Sequence, residues 1–251
     1  MIHLVVFAGQ SNAGGFRMTA ETLPAMLAGF DYGETYIWGA ANGRDEWQPL
    51  RPAQNTGDLD YPAAWGPELA FAEAFRRAHP DDVLLIVKQT SGSTGLAADP
   101  ADADWSPASR RELFDFMTRT VGRASKGYGD RTGEAAPKVS AVFWMQGEED
   151  ARHAGKAAAY GDNLTAFLAR ARADWMDDPQ GKVIAGRISD SILLPHSGVV
   201  RGAQWRVDEA DPNLSTFRTM GLPMQPDGLH YQAGGYVEVG HAAYRLWDDW
   251  F

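Results

Sequence analysis

Short apolar segments rich in β-branched residues alternate along this chain with longer segments of helical periodicity, and this alternation constrains the fold most. Strands are predicted over residues 2–8, 83–87, 139–145 and 182–188, with shorter candidates at 35–38 and 213–219. Helices are predicted over residues 66–78, 109–124, 154–176, 197–209 and 232–247. Strands that alternate with helices indicate a parallel sheet covered on both faces. We therefore expect an α/β fold, a three-layer α/β/α sandwich around a central, mainly parallel sheet of about five strands.

Length and composition limit what such a fold can do. The 251 residues suit a single domain over residues 1–251, and the absence of cysteine excludes disulfides, thiol nucleophiles and cysteine-based metal sites. The 33 acidic residues outnumber the 23 basic ones, and a net charge of −10 argues against nucleic acid as a partner. The same charge disfavours attachment to anionic lipid.

The chain carries no segment that predicts a membrane span, since no apolar run approaches about 18 residues. Its first residues lack the basic start and the long apolar stretch of a signal peptide, so a soluble protein of undetermined compartment is expected. Loops are predicted over residues 40–64 and 97–106, and a solvated connection over 126–137. The sequence leaves the oligomeric state open.

Polar, glycine-bearing segments follow three of the predicted strands, at residues 9–15, 89–95 and 146–150, and a fourth lies at 226–231 before the last helix. The carboxyl ends of parallel strands share one edge of a sheet, where ligands bind. We therefore expect these segments to meet at one rim. No histidine and carboxylate spacing is typical of a metal site, so neither a metal nor another cofactor is expected.

These segments contain the groups needed for acyl transfer through a serine. A serine hydroxyl attacks once a base takes its proton, histidine is the usual base, and a carboxylate orients the histidine. Ser11, Asp227 and His230 supply these groups, and a turn can join Asp227 to His230. Each residue also has a structural interpretation, because Ser11 can cap a helix, Asp227 can form a turn and His230 can be a hydrogen-bonded core side chain.

Four blocks of sequence carry a resemblance to a known family: Gly9-Gln10-Ser11-Asn12, Gly92-Ser93-Thr94, Trp144-Met145-Gln146-Gly147-Glu148-Glu149-Asp150 and Asp227-Gly228-Leu229-His230. In this order they resemble the SGNH/GDSL hydrolase superfamily, and more narrowly the sialate O-acetylesterase-like and acetylxylan-esterase-like carbohydrate esterases. The resemblance extends over residues 7–230 and implies a flavodoxin-like SGNH fold. Ser93 replaces the second glycine of the Gly-Gly-Thr that is common in the family.

The resemblance also implies a role for each matching residue. Ser11 corresponds to the nucleophile, His230 to the base and Asp227 to the acid that orients it. The oxyanion hole would consist of the backbone N–H groups of Ser11 and Gly92 and the side-chain amide of Gln146. Glu148 is an alternative partner of His230, or a residue that positions the substrate.

The implied activity is removal of O-acetyl groups from a carbohydrate through an acyl-enzyme, and the implied partner is therefore an acetylated carbohydrate. Sialic acid, xylan and other polysaccharides all remain open. One alternative is a lipase, thioesterase or arylesterase for longer acyl chains, and another is a catalytically idle carbohydrate-binding protein. The acidic net charge favours a neutral glycan, unless a basic patch around Arg17, Arg44 or Arg51 offsets it.

Eight of the nine tryptophans fall into two groups. Trp144, Trp175, Trp205 and Trp247 fit the apolar faces of predicted elements and are expected in the core. Trp38, Trp47, Trp65 and Trp105 fall in or beside the long loops, where they form either a platform for a sugar ring or part of the loop packing.

Overall fold

The computed structural model describes residues 1–38, 45–57, 61 and 63–251, so residues 40–44, 58–60 and 62 of the predicted 40–64 loop lie outside the described part. The strands are β1 (Ile2–Gly9), β2 (Thr35–Trp38), β3 (Trp47–Pro49), β4 (Val83–Thr90), β5 (Val139–Met145), β6 (Lys182–Arg187) and β7 (Leu214–Arg218). They form one sheet in the order β3-β2-β4-β1-β5-β6-β7. Only the edge strand β3 is antiparallel to its neighbour among these strands.

Helices cover both faces of the sheet, as the alternating pattern predicts. They are α1 (Ser11–Gly14), α2 (Ala25–Ala28), α3 (Pro67–Ala78), α4 (Leu113–Thr132), α5 (Ala154–Ala171), α6 (Ser197–Ala210) and α7 (Ala233–Asp248). In β1, Val5 and Phe7 face the core beneath α3 and α7, whereas Leu4 and Val6 face the core beneath α4, α5 and α6. Burial on both faces explains the continuous apolar run of this strand. Over the described residues, no helix has the length and apolar character needed to cross a membrane.

Within the described ranges the sheet has seven strands rather than about five. The candidates at 35–38 and 213–219 both form strands, and β3 lies inside the segment predicted as loop. A strand of three residues is too short to produce a periodic signal, and β3 depends on tertiary contacts instead. The Trp47 ring packs 5.5 Å from the ring of Trp38, and its indole N–H donates to the carbonyl oxygen of Ala124.

Helix α4 extends through much of the segment that was predicted to be a solvated connection at 126–137. The glycines of that segment weaken a helix prediction, but Gly127 is needed for packing. A Cβ atom there would lie 2.5 Å from the ring of Trp38. The helix begins at Leu113 rather than at 109, and the predicted helix over 154–176 ends as a π-helical turn at Arg172–Met176.

The burial of the tryptophan side chains does not follow the two groups predicted from the sequence. Trp38, Trp47, Trp65 and Trp105 are all buried, so these four rings belong to the packing and offer no platform to a sugar. Trp205 was expected in the core and instead is 50% exposed, because it lies on the outer side of α6.

The strand order places a crevice at the carboxyl end of β1. From β1 the chain moves to β2 and β4 on one side, then crosses to β5, β6 and β7 on the other. Such a reversal separates the loops on either side of the strand and opens a binding crevice between them. The loops after β1, β4 and β5 are the polar segments singled out in the sequence.

Helices α3 and α7 approach each other closely at Gly240. A Cβ atom at this position would lie 2.2 Å from the carbonyl oxygen of Pro67 and 2.7 Å from the Cβ of Ala70. Since backbone cannot yield easily, the contact requires glycine here.

We expect Gly240→Ala to lower the free energy of unfolding by about 1–3 kcal/mol, because the added methyl overpacks this contact. Gly234→Ala in the same helix is the matched control, since nothing lies within 4 Å of its Cβ position. The control should be neutral or stabilising by up to about 1 kcal/mol. Urea unfolding of the two variants measures the difference, and equal stabilities would contradict this account of the contact.

Candidate active site

The serine of the first block stands on a sharp turn between β1 and α1. Gly9 ends β1 with a φ of 141°, and a Cβ atom there would lie 2.0 Å from the carbonyl oxygen of Met145. The next amide, that of Gln10, donates to the same carbonyl at 3.0 Å. Glycine therefore lets β1 lie against the end of β5 and turns the chain so that Ser11 begins α1 and lines a polar pocket at this edge.

Ser11, His230 and Asp227 form a hydrogen-bonded chain, although 219 residues separate the first two. The Ser11 Oγ lies 2.9 Å from the His230 Nε2, and the His230 Nδ1 lies 2.8 Å from the Asp227 Oδ2. The other carboxylate oxygen of Asp227 accepts the backbone N–H groups of Leu229 and His230, both at 3.0 Å. The turn fixes the carboxylate, and the carboxylate fixes the ring.

Phe16 holds the imidazole from one side, since its ring stacks on His230 at 3.8 Å between centroids. Burial lowers the pKa of His230 below its usual value, and the neighbouring Arg17 acts in the same direction, while Asp227 opposes both. Partial burial of Asp227 raises the pKa of its carboxyl, but the backbone N–H and the ring of His230 outweigh that effect and hold it low. A neutral imidazole beside an ionised carboxylate is the resting state needed for a general base.

Glu148, the alternative partner of His230, binds a different residue. Its Oε1 accepts the side-chain amide of Asn12 at 2.6 Å, and the same amide nitrogen donates to the carbonyl oxygen of Leu229 at 3.2 Å. The Tyr236 hydroxyl donates to the Asn12 Oδ1 at 3.1 Å. Burial raises the pKa of Glu148, and the hydrogen bond from Asn12 opposes that rise. The imidazole of His230 therefore contacts Asp227 and not Glu148, and Glu148 anchors Asn12.

Gly92 lines the pocket as expected, but the side chain of Gln146 points elsewhere. The Gln146 amide donates to the carbonyl oxygen of Thr94 at 3.0 Å and to the Asp150 Oδ2 at 2.6 Å. It thus ties the loop after β4 to the loop after β5. Because both bonds use the amide nitrogen, the expected oxyanion donor of Gln146 is engaged within the protein.

The residue before Ser11 is a pocket residue that the sequence analysis did not single out, although it stands in the first block. Gln10 lines the pocket, and its Oε1 accepts the backbone N–H groups of Gly147 and Glu149, both at 3.3 Å. These contacts fix the carbonyl end of the amide and leave its nitrogen for a ligand. Its place next to Ser11 was the only signal in the sequence.

A buried ion pair supports the turn that carries Ser11. The Lys88 Nζ lies 2.8 Å from the Glu68 Oε2, and it also donates to the carbonyl oxygens of Gly14 at 3.0 Å and Thr56 at 2.6 Å. The Glu68 Oε1 accepts the N–H of Gly66 at 2.9 Å. Burial raises the pKa of Glu68, and Lys88 opposes this. The pair joins α1, β4 and the start of α3.

The pocket above Ser11 has a volume of about 450 Å³. Its apolar walls are Phe16, Tyr61, Leu194 and Leu229, and its polar ones include Ser93, Glu149 and Arg152. Ser93 has a left-handed φ of 55°, which is the conformation that glycine adopts more easily at this position of the block. No group of histidine and acidic side chains in the described ranges is arranged to hold a metal ion.

Comparison with known families decides the class of protein. The family of carbohydrate esterases described as sialic acid-specific acetylesterases matches residues 1–246. The chain belongs to this family. It is therefore a carboxylic ester hydrolase that acts on carbohydrates, which confirms the resemblance drawn from the four blocks. Among curated proteins, none matches the chain.

Solved structures share the fold of this esterase. A protein from Arabidopsis thaliana is 24% identical, with a TM-score of 0.77 and 98% of each chain covered. A carbohydrate acetylesterase from Xanthomonas citri is 18% identical, with a TM-score of 0.62, and 96% of this chain matches 55% of that one. A carbohydrate acetylesterase from Sinorhizobium meliloti is 12% identical, with a TM-score of 0.59, and 99% of this chain matches 100% of that one. At these identities the likeness concerns the fold, and it confirms the α/β sandwich.

We expect kcat/KM for an acetyl ester to fall as the pH is lowered. The apparent pKa of this acidic limb should lie below 6.5, which is the ordinary pKa of histidine. The base must be neutral, and burial lowers the pKa of His230, so more than half of the maximal rate should remain at pH 6.5. A pH–rate profile measures this limb. An acidic limb centred above pH 7 would contradict the burial of the imidazole.

Asp227→Asn should lower kcat by about 10⁴-fold, since an amide no longer fixes the tautomer. It should also move the acidic limb to still lower pH, because Asp227 is the group that raises the pKa of His230. Asp162→Asn, on the exposed side of α5, is the control. If Asp227→Asn kept the wild-type rate and limb, Asp227 would not be the orienting acid.

Proposed function

We propose that this carbohydrate esterase is a serine O-acetylesterase that works through an acetyl-enzyme. The observation that carries the proposal is the chain of two hydrogen bonds from the Ser11 Oγ through the imidazole of His230 to Asp227, at 2.9 and 2.8 Å. That geometry lets a base remove the serine proton while an ionised carboxylate stabilises the resulting imidazolium. The acetyl preference is supported by the description of the family and by the names of two structural neighbours.

In the first half of the reaction the Ser11 Oγ forms a bond to the acetyl carbon and passes its proton to the His230 Nε2. The bond between the acetyl carbon and the sugar oxygen then breaks, and the sugar oxygen takes that proton. In the second half a water attacks the acetyl carbon, gives a proton to His230, and the bond to the Ser11 Oγ breaks. Acetic acid leaves and ionises to acetate in solution, and the proton on His230 returns to the Ser11 Oγ.

The carbonyl oxygen becomes negative in both tetrahedral intermediates and needs donors fixed in advance. We assign the backbone N–H groups of Ser11 and Gly92 and the side-chain amide of Gln10 to this oxyanion hole. Gln10 replaces Gln146 in the assignment because the amide of Gln146 is bonded to Thr94 and Asp150, whereas that of Gln10 lines the pocket. The two backbone N–H groups that hold the Gln10 Oε1 pre-orient the amide.

We expect Ser11→Ala to lower kcat for 4-nitrophenyl acetate by about 10³-fold or more, the loss that follows removal of a nucleophile from such a triad. Ser125→Ala, on α4, is the matched control and should keep the wild-type rate. Circular dichroism would establish equal folding. Full activity in Ser11→Ala would rule out the serine mechanism.

Acyl-chain preference separates the proposal from a lipase or thioesterase. Rates with acetyl, butyryl and octanoyl esters of 4-nitrophenol should fall as the chain lengthens. A preference for octanoyl would favour the longer-chain alternative, and glycan binding without turnover of any acetylated glycan would favour the idle binding protein.

A further inference from the structure

A second pocket opens on the same edge of the sheet, beyond β5. It has a volume of about 630 Å³ and lies between the ends of β6 and β7 and the outer face of α6. We call it the arginine cleft, and it is lined by Arg187, Arg201, Arg218, Trp205, Thr219 and Met220, with two glycines of α6. It shares none of the described residues that line the pocket above Ser11.

Two of its arginines stand side by side without a carboxylate. Arg187 ends β6, Arg218 ends β7, and the two are register partners in this parallel pair, so both side chains leave the sheet on one side. No acidic side chain lies within ion-pair distance of either one in the part of the chain that the structure describes. Like charges directly opposite each other destabilise a sheet.

The third arginine differs, because Arg201 is neutralised by Asp190 at 2.7 Å. Asp208 faces Arg187 from α6 and favours its charge without forming an ion pair with it, and its carboxylate accepts the hydroxyl of Thr216 at 2.5 Å. Asp208 offsets one of the two charges on Arg187 and Arg218, so a surplus positive charge remains in the cleft.

Arg187 also lacks a hydrogen-bond partner for part of its side chain. Its Nε is buried and has no hydrogen-bond acceptor. Burial and then the positive charge of Arg218 lower the pKa of its guanidinium, so its surroundings are unfavourable to the charge. An unsatisfied buried N–H costs free energy. An oxyanion in the cleft would bind the exposed nitrogens of the two guanidinium groups and offset the repulsion between their charges. The chain as a whole has a net charge of −10, so this pair of arginines is a local region of opposite charge.

The exposed ring of Trp205 in the cleft indicates what kind of group would carry the oxyanion. Trp205 follows Arg201 by one helical turn, is 50% exposed and stands beside Met220, which is 51% exposed. A flat exposed ring next to guanidinium groups suits a sugar ring that bears a carboxylate, since the ring can stack while the carboxylate takes two N–H groups.

The cleft is joined to the catalytic loop. The Thr219 hydroxyl donates to the carbonyl oxygen of Arg187 at 2.5 Å and accepts the hydroxyl of Tyr231 at 2.8 Å. Tyr231 directly follows His230. One glycan chain lying along this edge of the sheet would thus pass both pockets.

We propose that the arginine cleft is a binding subsite for the carboxylate of an acidic sugar residue, a uronate, in the glycan that this esterase deacetylates. The saccharide identity of the ligand rests on the proposed function, whereas the demand for an oxyanion rests on the arginines alone. The proposal reverses the expectation of a neutral glycan, because local charge outweighs net charge at short range. Arg44, one of the residues considered for a basic patch, lies outside the described residues.

Calorimetric titration with unesterified trigalacturonate tests the cleft without any catalytic step. The wild-type protein should bind this trimer about tenfold or more tightly than the neutral galactose trimer, and added salt should weaken the binding. Arg218→Gln should weaken binding about tenfold, and Trp205→Ala by a smaller factor. Both positions are exposed, so both variants should fold, and Arg119→Gln on the exposed side of α4 is the matched control.

Equal binding of the two trimers, or undiminished binding in Arg218→Gln, would overturn the proposal. Inorganic phosphate that binds as tightly as the trimer, with no effect of Trp205→Ala, would overturn the saccharide assignment and indicate a site for a free oxyanion. Turnover of 4-nitrophenyl acetate should be unchanged in Arg218→Gln, because this small ester does not reach the cleft. A wild-type protein that binds the trimer but hydrolyses no ester would overturn the proposed function and still support the arginine cleft as a binding site.

Discussion

The side chain of Asn12 joins the three loops on which the site depends. Its amide nitrogen donates both to Glu148, in the loop after β5, and to the carbonyl oxygen of Leu229, next to His230. Its own backbone lies next to Ser11 in α1. This amide acts together with the contacts of Gln10 and Gln146 to hold loops that are far apart in sequence at fixed distances from one another. Burial of Glu148 makes the bond stronger than it would be in water.

Beneath this junction, the Lys88–Glu68 pair supplies a second constraint of a different kind. Both side chains are fully removed from water, where an ion pair holds only if its remaining donors and acceptors are satisfied. Lys88 meets this condition with the carbonyl oxygens of Gly14 and Thr56. The charge therefore serves to hold the short helix α1 that carries Ser11, and removing one partner would leave the other buried and unpaired. The position of Ser11 thus depends on polar contacts that lie outside the pocket.

Patterns local in sequence predicted most of the sheet and the contact between Asp227 and His230. The apolar runs of β1, β4, β5 and β6 follow from burial on both faces, and the hydrogen bond between His230 and Asp227 follows from the spacing of the last block. Contacts between distant segments could not be read in that way. The direction of the Gln146 amide depends on Asp150 and Thr94, and the strand β3 depends on Trp47 meeting α4. The exposure of Trp205 depends on which face of α6 the sheet leaves uncovered.

The central claim is that Ser11 is a nucleophile activated by the histidine and aspartate beside it. Labelling with a fluorophosphonate, followed by peptide mass spectrometry, tests this directly, because the reagent bonds to activated serines rather than to ordinary ones. The account predicts one modified residue, Ser11, with labelling strongly slowed in His230→Ala. Labelling at another serine, or none at Ser11 in a folded protein that hydrolyses acetyl esters, would contradict it.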